Sequence, residues 1–311
     1  MFLDCLFSFI FIIISIFMLE NQKILADLQV TKEFFIGIDS DGCVFDTMEI
    51  KQKECFCPNF IKYFNLQALS KAARETWEFV NLYSQSRGCN RFLAVAKALD
   101  LLKNRKETAL RNAQIPDFSS LLDWLKIETK LGNPSLEKYL ESQEDKFMAQ
   151  LFSWSKKVNE DISSMVFGMP PFPYVRESLE KMLPKADMIV VSQTPYEALH
   201  REWDENNMMK YIRLIAGQEL GTKTEHLQLA AKGKYEPHKI LMIGDAPGDL
   251  KAANDNNALF FPINPGFEDE SWNELLNNGL NRFFSLEYFG EYQNNLIQKF
   301  MEYLPEKPHW H

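Results

Sequence analysis

The fold of this chain is decided by the stretch FFIGIDSDG, residues 34–42. Its first half is short, apolar and rich in β-formers, and its second half places two carboxylates and a glycine directly behind that run. A run of this kind, bounded by turn residues, is typical of a strand buried in a parallel sheet. Ligands of open α/β sheets bind beyond the carboxyl ends of the strands, so Asp39 and Asp41 are candidate functional residues.

Four further apolar runs predict the remaining strands of the sheet. They are Met188–Val191, Arg213–Ala216, Ile240–Ile243 and Ala258–Phe261. Helical patterns separate the later runs, at about residues 194–203, 224–232 and 248–254. Strands that alternate with helices indicate a parallel sheet covered by helices on both of its faces. The predicted fold class is therefore α/β, with a Rossmann-like parallel sheet as its core.

The first of these helices carries a start signal at Thr194-Pro195-Tyr196-Glu197. Thr194 is an N-cap candidate, Pro195 suits the first helical position, and Glu197 would complete a capping box. The helix is therefore expected to begin at Pro195, with the hydroxyl of Thr194 bound to one of its first backbone amides.

Residues 48–169 contain no clear strand run. They are rich in Leu, Lys, Glu, Ala and aromatic residues at helical spacings, for example over Ala72–Tyr83 and Phe92–Leu102. This pattern predicts an all-helical insert after the first strand, large enough to form a domain. The α/β core then comprises residues 30–47 and 170–265, and the tail is a helical C-terminal extension of residues 266–311.

Residues 1–29 form an apolar segment and a lead-in to the first strand, and up to Leu19 their only charge is Asp4. No basic residue precedes this segment and no A-x-A site follows it, which argues against a signal peptide. Two alternatives stay open: an N-terminal membrane anchor, or translation that begins at Met18, which we favour. Because the first basic residues follow the segment, even an anchor would leave the rest of the chain in the cytoplasm.

The charge balance and the cysteines bear on partners and location. Lys and Arg number 34 and Asp and Glu number 43, giving a net charge of −9. A general nucleic-acid binder would show a basic face, so no nucleic-acid partner is expected, although a local basic pocket for an anion is compatible with this charge. The five cysteines are an odd and sparse count, which favours reduced thiols and a cytoplasmic location. Cys55 and Cys57 form the only close pair and lack the further ligands of a zinc site.

Other candidate residues lie at or near the ends of later strands. A second acidic turn, GDAPGD at residues 244–249, follows the fourth strand. Its carboxylates, Asp245 and Asp249, can join the first acidic pair in binding a hard divalent cation. Ser192 follows the second strand, and Lys223 lies in a loop ahead of the helix that precedes the fourth. A hydroxyl and an ammonium at this edge suit phosphoryl oxygens.

The lysine is the least determined of these residues. Lys232 and Lys234 also lie between the second strand and Asp245. Lys223 is preferred because it follows Gly221-Thr222 in a loop, whereas Lys232 looks like a helix-end residue, where a cation suits the helix dipole.

The order of these residues along the chain resembles the haloacid dehalogenase superfamily. An acidic pair, a serine, a lysine and a second acidic pair each stand at or near the end of a strand. The resemblance is carried by Phe34–Asp46, Met188–Thr194, Lys223 and Ile240–Asp249. It covers residues 30–265, with the helical insert in the position of the superfamily's cap.

The resemblance implies a phosphohydrolase whose partner is a small phosphorylated metabolite. Asp39 would be the nucleophile that forms an aspartyl-phosphate, and Asp41 would protonate the leaving group and then activate water. Ser192 and Lys223 would bind the transferred phosphoryl group. The resemblance also implies a Mg²⁺ cofactor, and its ligands would be Asp39, Asp41 through its backbone carbonyl, Asp245 and Asp249. An anionic carboxylate approaches an anionic phosphate only when such cations lower the repulsion.

Two other functions stay open at this point. A sugar-phosphate mutase would keep both aspartates of the first pair and a helical cap, and a binding protein would keep the superfamily scaffold without turnover. True dehalogenases of the superfamily lack the second aspartate, so Asp41 favours phosphoryl chemistry. Inside the insert, Arg87 and Arg91 are candidates for binding a second anionic group of the substrate, or for decorating solvated helices.

Overall fold

The structure is a computed structural model that describes residues 22–310. The predicted apolar segment and the choice between Met1 and Met18 therefore lie outside the described residues. Within them the chain divides into two compact units: an α/β unit of residues 22–46 and 168–300, and a helical unit of residues 47–167 and 301–310. Between residues 22 and 310, no helix is both long enough and apolar enough to cross a membrane.

Five strands of the α/β unit form one parallel sheet. They are β1 (Phe34–Ile38), β2 (Ala186–Val191), β3 (Leu214–Ala216), β4 (Ile240–Gly244) and β5 (Leu259–Pro262). The order across the sheet is β3-β2-β1-β4-β5, so β1 lies in the centre between β2 and β4. Each strand coincides with one of the predicted apolar runs, and the α/β class with a Rossmann-like parallel sheet is confirmed.

Helices make up most of the remaining described chain. The α-helices are, in chain order, α1 (22–26), α2 (Thr47–Ile50), α3 (Cys57–Tyr63), α4 (Ser70–Asn81), α5 (Arg91–Lys103), α6 (Lys106–Leu110), α7 (Ser119–Ile127), α8 (Asn133–Ser142), α9 (Lys146–Met165), α10 (Val175–Met182), α11 (Tyr196–Glu205), α12 (Lys223–Ala230), α13 (Pro247–Asp255), α14 (Glu268–Glu274), α15 (Leu280–Phe284) and α16 (Glu291–Tyr303). Shorter 3₁₀ turns lie at Gln67–Leu69, Met209–Tyr211, Gln218–Leu220 and Pro237–Lys239. Two π-helical turns lie at Lys51–Phe56 and Leu275–Gly279.

Side chains alternate across β1 and so cover both faces of the sheet. Phe34, Ile36 and Ile38 pack into the main core of the α/β unit, together with side chains of α10, α11 and α14. Burying a Phe or Ile side chain stabilises the fold by about 1.5–3 kcal/mol, which favours a strand without polar residues. On the other face, a Cβ at Gly37 would stand 2.9 Å from Cδ2 of Leu227. The glycine therefore lets α12 approach the sheet closely.

Helix α11 begins differently from the prediction. Pro195 is its N-cap rather than its first residue, and the predicted capping box is wrong. The hydroxyl of Thr194 donates instead to Asp41, with 2.6 Å between Oγ1 and Oδ2. The backbone N–H of Tyr196 donates to the carboxylate oxygens of Glu219, at 3.2 and 3.1 Å. A carboxylate from a distant loop therefore caps the helix and complements its dipole.

The helical unit has a hydrophobic core of its own, rich in aromatic side chains, in which Trp77 is fully buried. Residues 301–310 also belong to this unit. The ring of Trp310 lies 5.5 Å from the ring of Phe79 and 4.4 Å from the guanidinium of Arg105. An aromatic edge contact and a cation–π contact therefore hold residues 301–310 in the helical unit.

The predicted C-terminal extension of residues 266–311 is divided between the two units. Its residues up to Phe300 belong to the α/β unit, and the described residues from Met301 onward belong to the helical unit. The boundary falls inside α16, which is one continuous helix. The chain therefore passes between the units three times: after Asp46, after Phe167 and within α16.

Candidate active site

The loop after β1 presents Asp39 and Asp41 at the carboxyl edge of the sheet. The backbone N–H of Asp39 donates to the carbonyl of Ile243 on β4 at 2.9 Å, so the sheet pairing extends to this residue. The carbonyl of Ser40 then accepts from three backbone N–H groups, those of Cys43, Val44 and Phe45. The result is a tight turn in which Asp39 is 4% exposed and Asp41 is half-buried.

The loop after β4 presents Asp245 and Asp249, both of which are buried. The backbone N–H of Ala246 donates to Oδ2 of Asp249 at 3.1 Å as α13 begins. The side chain of Asp249 lies directly against Gly244, because a Cβ on that glycine would overlap it. Only a glycine permits this approach. Since β1 and β4 are neighbours, the second acidic pair comes to the same edge as the first.

Lys223 is the first residue of α12 and lies between the two acidic pairs. Thr222 caps this helix: its hydroxyl accepts from the N–H of Glu225 at 3.2 Å, and the Glu225 carboxylate accepts from the N–H of Thr222 at 2.7 Å. Nζ of Lys223 lies 2.8 Å from Oδ2 of Asp39 and 2.6 Å from Oδ1 of Asp249. The capping box therefore fixes the point from which Lys223 reaches the aspartates.

The rival lysines bind elsewhere in the α/β unit. Nζ of Lys232 donates to the carbonyl of Asp255 at 3.1 Å. Nζ of Lys234 donates to backbone carbonyls at the end of α1, those of Leu25, Ala26 and Leu28, at 3.1, 2.6 and 3.1 Å. Of the three lysines weighed from the sequence, Lys223 is the one that the structure brings to the acidic residues.

Three buried carboxylates and one ammonium lie together at this edge of the sheet. Carboxylate oxygens of Asp39, Asp245 and Asp249 lie within 4.8 Å of one another. Burial raises the pKa of Asp39 to about 7, although the charge of Lys223 opposes this rise. Burial likewise raises the pKa of Asp249 to about 6 against the same opposing charge. Burial lowers the pKa of Lys223, but the charges of Asp249, Asp39 and Asp245 outweigh it, so that pKa is raised.

The charge of this cluster favours a divalent cation. Three ionised carboxylates and one ammonium leave a net negative charge in a buried place, which is costly. The raised pKa values of Asp39 and Asp249 express that cost, because they mean that these carboxyls resist ionisation. Carboxylate oxygens, supplemented by a backbone carbonyl, are the donors that Mg²⁺ prefers. The residues present therefore fit a Mg²⁺ ion.

Ser192 follows β2 at the same edge and is buried. Its Oγ accepts from the backbone N–H of Thr194 at 3.1 Å, so its own proton can be donated to a phosphoryl oxygen. The side-chain amide of Gln193 donates to the carbonyl of Gly221 at 2.8 Å. This bond connects the loop of Ser192 to the loop that leads into Lys223.

The sequence gives no signal for two neutral side chains that border the cluster. Burial raises the pKa of Cys43 well above its ordinary value, and the charges of Asp245 and Asp39 add to the rise, so this residue stays a thiol. Burial and the charge of Lys223 lower the pKa of His226 to about 4, so its imidazole stays neutral near physiological pH. Each lies close in the sequence to a predicted site residue, Cys43 to Asp41 and His226 to Lys223, but its burial depends on tertiary packing.

The two arginines of the insert have partners inside the helical unit. Nη1 of Arg87 donates to the carbonyl of Leu82 at 2.9 Å. Nη1 of Arg91 donates to Oγ of Ser155 at 3.0 Å and to Oδ1 of Asn159 at 2.7 Å. These contacts stabilise the unit, and a role of either arginine in substrate specificity stays a prediction.

The fold and the candidate site can be described together. A parallel α/β sheet carries two acidic turns, a serine and a lysine at its carboxyl edge, and a helical unit is inserted after its central strand. This arrangement agrees with the Rossmann-like parallel sheet and the inserted helical unit that the sequence predicts.

Comparison with known proteins gives matches among solved structures alone. No family model matches the chain, and no curated protein matches it. A haloacid dehalogenase-like family hydrolase from Streptococcus pneumoniae is 14% identical, over 87% of this chain and 100% of that one, with a TM-score of 0.45. A predicted phosphatase from Clostridium acetobutylicum is 15% identical, over 75% and 85% of the two chains, with a TM-score of 0.39. CbbY from Rhodobacter sphaeroides, in complex with phosphate, is 13% identical over 76% and 88%, with a TM-score of 0.39.

Proposed function

We propose that this chain is a Mg²⁺-dependent phosphohydrolase that acts on a small phosphorylated metabolite through an aspartyl-phosphate on Asp39. One observation carries the proposal: the buried carboxylates of Asp39, Asp245 and Asp249 converge within 4.8 Å around a single lysine. A structural role for such a cluster is unfavourable, because three carboxylates close to one ammonium carry a net negative charge in a buried place. If a cation and a phosphoryl group bind here, the carboxylates can bind the cation and the lysine can bind the phosphoryl group.

The first chemical step transfers the phosphoryl group to the protein. An oxygen of Asp39 attacks phosphorus, and the bond from phosphorus to the leaving oxygen breaks as Asp41 gives that oxygen a proton. In the second step a water molecule attacks phosphorus, Asp41 takes a proton from it, and the bond between phosphorus and Asp39 breaks. Inorganic phosphate leaves, and both carboxyl groups return to their starting states.

The remaining residues of the site hold charge and orientation. Mg²⁺ would be held by Asp39, the backbone carbonyl of Asp41, Asp245 and Asp249, and it would supply positive charge beside the phosphoryl oxygens. Lys223 carries three donors, so it can keep its contacts with the aspartates and still bind a phosphoryl oxygen. Ser192 donates its hydroxyl proton to the same group.

Hydrolysis of p-nitrophenyl phosphate tests the proposal, with Mg²⁺ or with a chelator, for the wild type and for Asp39→Asn. We expect turnover that requires Mg²⁺ and that falls by at least about 10⁴-fold in the variant, because the nucleophile is lost. A thermal melt of both proteins controls for folding. Turnover that survives Asp39→Asn would overturn the mechanism.

The same experiment separates the alternative functions. A sugar-phosphate mutase would use the same nucleophile, but its aspartyl-phosphate would persist and its turnover would depend on a bisphosphate activator. A binding protein would take up inorganic phosphate in the presence of Mg²⁺ and release no p-nitrophenol. Rapid release of p-nitrophenol without an activator therefore favours the phosphohydrolase over both.

A further inference from the structure

The hydroxyl of Thr194 makes a hydrogen bond that no helix-capping role explains. Its Oγ1 donates to Oδ2 of Asp41 at 2.6 Å, across a sequence separation of 153 residues. Short donation from a hydroxyl to a carboxylate is among the stronger hydrogen bonds in proteins. The contact joins the loop after β2 to the loop after β1, at the edge where the acidic residues meet.

Thr194 is itself held in place by its backbone. Its N–H donates to Oγ of Ser192 at 3.1 Å, and its carbonyl accepts from the N–H of Gln218 at 3.1 Å. The second contact needs a close approach, because a Cβ at Gly217 would stand 2.9 Å from the carbonyl oxygen of Thr194. The backbone of Thr194 is therefore held by contacts within the loop after β2 and with the loop after β3, none of which involves Asp41.

The beginning of α11 leaves this hydroxyl available. The N–H of Tyr196 is satisfied by the carboxylate of Glu219, so the helix does not draw on the side chain of Thr194. The hydroxyl of a threonine in front of a helix normally accepts a hydrogen bond from one of the first backbone N–H groups of the helix. Here the carboxylate of Glu219 accepts that hydrogen bond, and the hydroxyl of Thr194 donates to Asp41.

We propose that Thr194 is a positioning residue for Asp41, an inference that rests on the function proposed above. A hydrogen bond to Oδ2 limits rotation of the carboxyl group about its Cβ–Cγ bond. When Asp41 carries its proton, the Oδ2 atom is engaged as an acceptor, so the proton is directed to Oδ1. Thr194 thereby leaves one oxygen of Asp41, Oδ1, to give a proton to the leaving group and to take a proton from water.

The test uses two aryl phosphates whose leaving groups differ in their need for a proton. p-Nitrophenolate departs readily as an anion, whereas phenolate is a poorer leaving group and depends more on a general acid. We expect Thr194→Val to lower kcat on phenyl phosphate by about 10- to 100-fold and kcat on p-nitrophenyl phosphate much less. Thr194→Ser, which keeps the hydroxyl, should restore most of the lost turnover on phenyl phosphate.

A matched control exists at the other edge of the sheet. The hydroxyl of Thr31 also donates to a buried aspartate, Asp187, at 2.5 Å. Thr31→Val deletes the same kind of hydrogen bond, and we expect it to leave the ratio of the two kcat values unchanged. A changed ratio in Thr31→Val would mean that the leaving-group effect reports general weakening of the fold, which would overturn the inference.

A double-mutant cycle with Asp41→Asn decides whether Thr194 acts through Asp41. We expect Thr194→Val to cause no further loss on phenyl phosphate once Asp41 is replaced. Equal losses of Thr194→Val on both substrates, or additive losses in the double variant, would overturn the inference. If Asp39→Asn retains turnover, the proposed function fails and this inference with it. If Asp39→Asn is inactive while the cycle is additive, only this inference fails.

A crystal structure of the variant gives a readout that does not depend on turnover. We expect the carboxylate of Asp41 in Thr194→Val to take a different rotamer or to split between two. Thr194→Ala serves the same purpose if the valine variant does not fold. An Asp41 carboxylate that stays unmoved in the variant overturns the inference.

Discussion

Each edge of the sheet carries a buried aspartate. The two aspartates are similarly buried but differ in their hydrogen-bond partners and in their pKa values. Asp187, at the amino edge, is 1% exposed, and Asp39, at the carboxyl edge, is 4% exposed. Asp187 accepts hydrogen bonds from five donors: N and Oγ1 of Thr31, N of Lys32, the hydroxyl of Tyr235 and Nη1 of Arg213. Asp39 shares the ammonium of Lys223 with Asp249 and stands near Asp245.

The pKa values of the two aspartates move in opposite directions. Burial raises the pKa of both, but at Asp187 the hydrogen bonds from Thr31, Tyr235 and Lys32 outweigh burial and bring the pKa down to about 2. At Asp39 burial prevails over the charge of Lys223 and takes the pKa to about 7. Burial alone therefore does not mark a functional carboxylate. We infer that a shortage of compensating donors and charge is the better indicator.

The largest effect should come from removing the cation at the carboxyl edge. We expect Lys223→Met to lower kcat/KM on p-nitrophenyl phosphate by about 10²–10³-fold, because it removes positive charge from the proposed site of phosphoryl transfer. Lys234→Met is the matched control: that lysine donates to the carbonyls of Leu25, Ala26 and Leu28. It should cost stability and keep turnover. Comparable losses of turnover in the two variants would show that the choice of lysine is wrong.

The next effect concerns stability at the amino edge. We expect Asp187→Asn to lower the free energy of unfolding by about 3 kcal/mol, because an amide cannot accept from all of these donors and leaves Arg213 without its charge partner. Urea unfolding measures the change. Turnover at permissive temperature should stay close to that of the wild type. A stable but inactive Asp187→Asn would contradict the division of roles between the edges.

A smaller effect is expected from the metal. Mg²⁺ at 100 times its dissociation constant should stabilise the folded protein by about 2.7 kcal/mol, seen as a rise in Tm. Asp245→Asn should abolish most of this rise, since it removes one ligand. Asp187→Asn should keep it, although from a lower starting Tm. A rise of equal size in both variants would place the binding site elsewhere.

A further effect is the pH dependence of the Mg²⁺-free protein. Asp39 and Asp249 have ordinary pKa values of 3.8 that are raised to about 7 and about 6 on folding. At these two carboxyls the folded state then binds more protons than the unfolded state, so their contribution to stability falls as pH rises through that window, by at most about 1.4 kcal/mol per pH unit for each proton. Asp187, lowered to about 2, gives the opposite slope: its contribution is lost as pH falls from 3.8 through about 2.

Urea unfolding in the presence of a chelator measures both slopes. In Asp39→Asn, the free energy of unfolding should fall less steeply as pH rises above 3.8. In Asp187→Asn, it should decrease less as pH falls below 3.8. His226, whose pKa is lowered to about 4, adds a slope of opposite sign to the wild type and to Asp39→Asn alike. Equal slopes of the wild type and Asp39→Asn between pH 3.8 and 7 would therefore contradict the raised pKa of Asp39.

Much of the fold could be predicted from the sequence, because the strands of a parallel sheet appear there as short apolar runs. β1 and β4 are buried on both faces, so their residues carry no polar alternation that a helix pattern could imitate. The meeting of the two acidic turns also follows from the sequence, because the carboxyl ends of parallel strands lie at one edge. Asp39 and Asp245 could therefore be placed together before their distance was known.

What the sequence did not predict depends on partners that are distant along the chain. Thr194 looks like a helix cap by every local rule, and its true partner, Asp41, lies 153 residues away. The cap of α11 comes from Glu219, which no local pattern connects to Tyr196. The two buried aspartates, Asp39 and Asp187, differ in donors that tertiary packing supplies.

The order of the strands along the chain has a consequence for biosynthesis. β1, the central strand, leaves the ribosome first, and β2 and β4 follow only after the whole helical insert. Pairing across such a separation is slow, because a long loop must close before any contact rewards it. The nascent helices between Thr47 and Phe167 can bury their apolar faces during that delay. Trp310 is synthesised after all five strands of the sheet, so its contacts with Phe79 and Arg105 can form only after the sheet residues have left the ribosome.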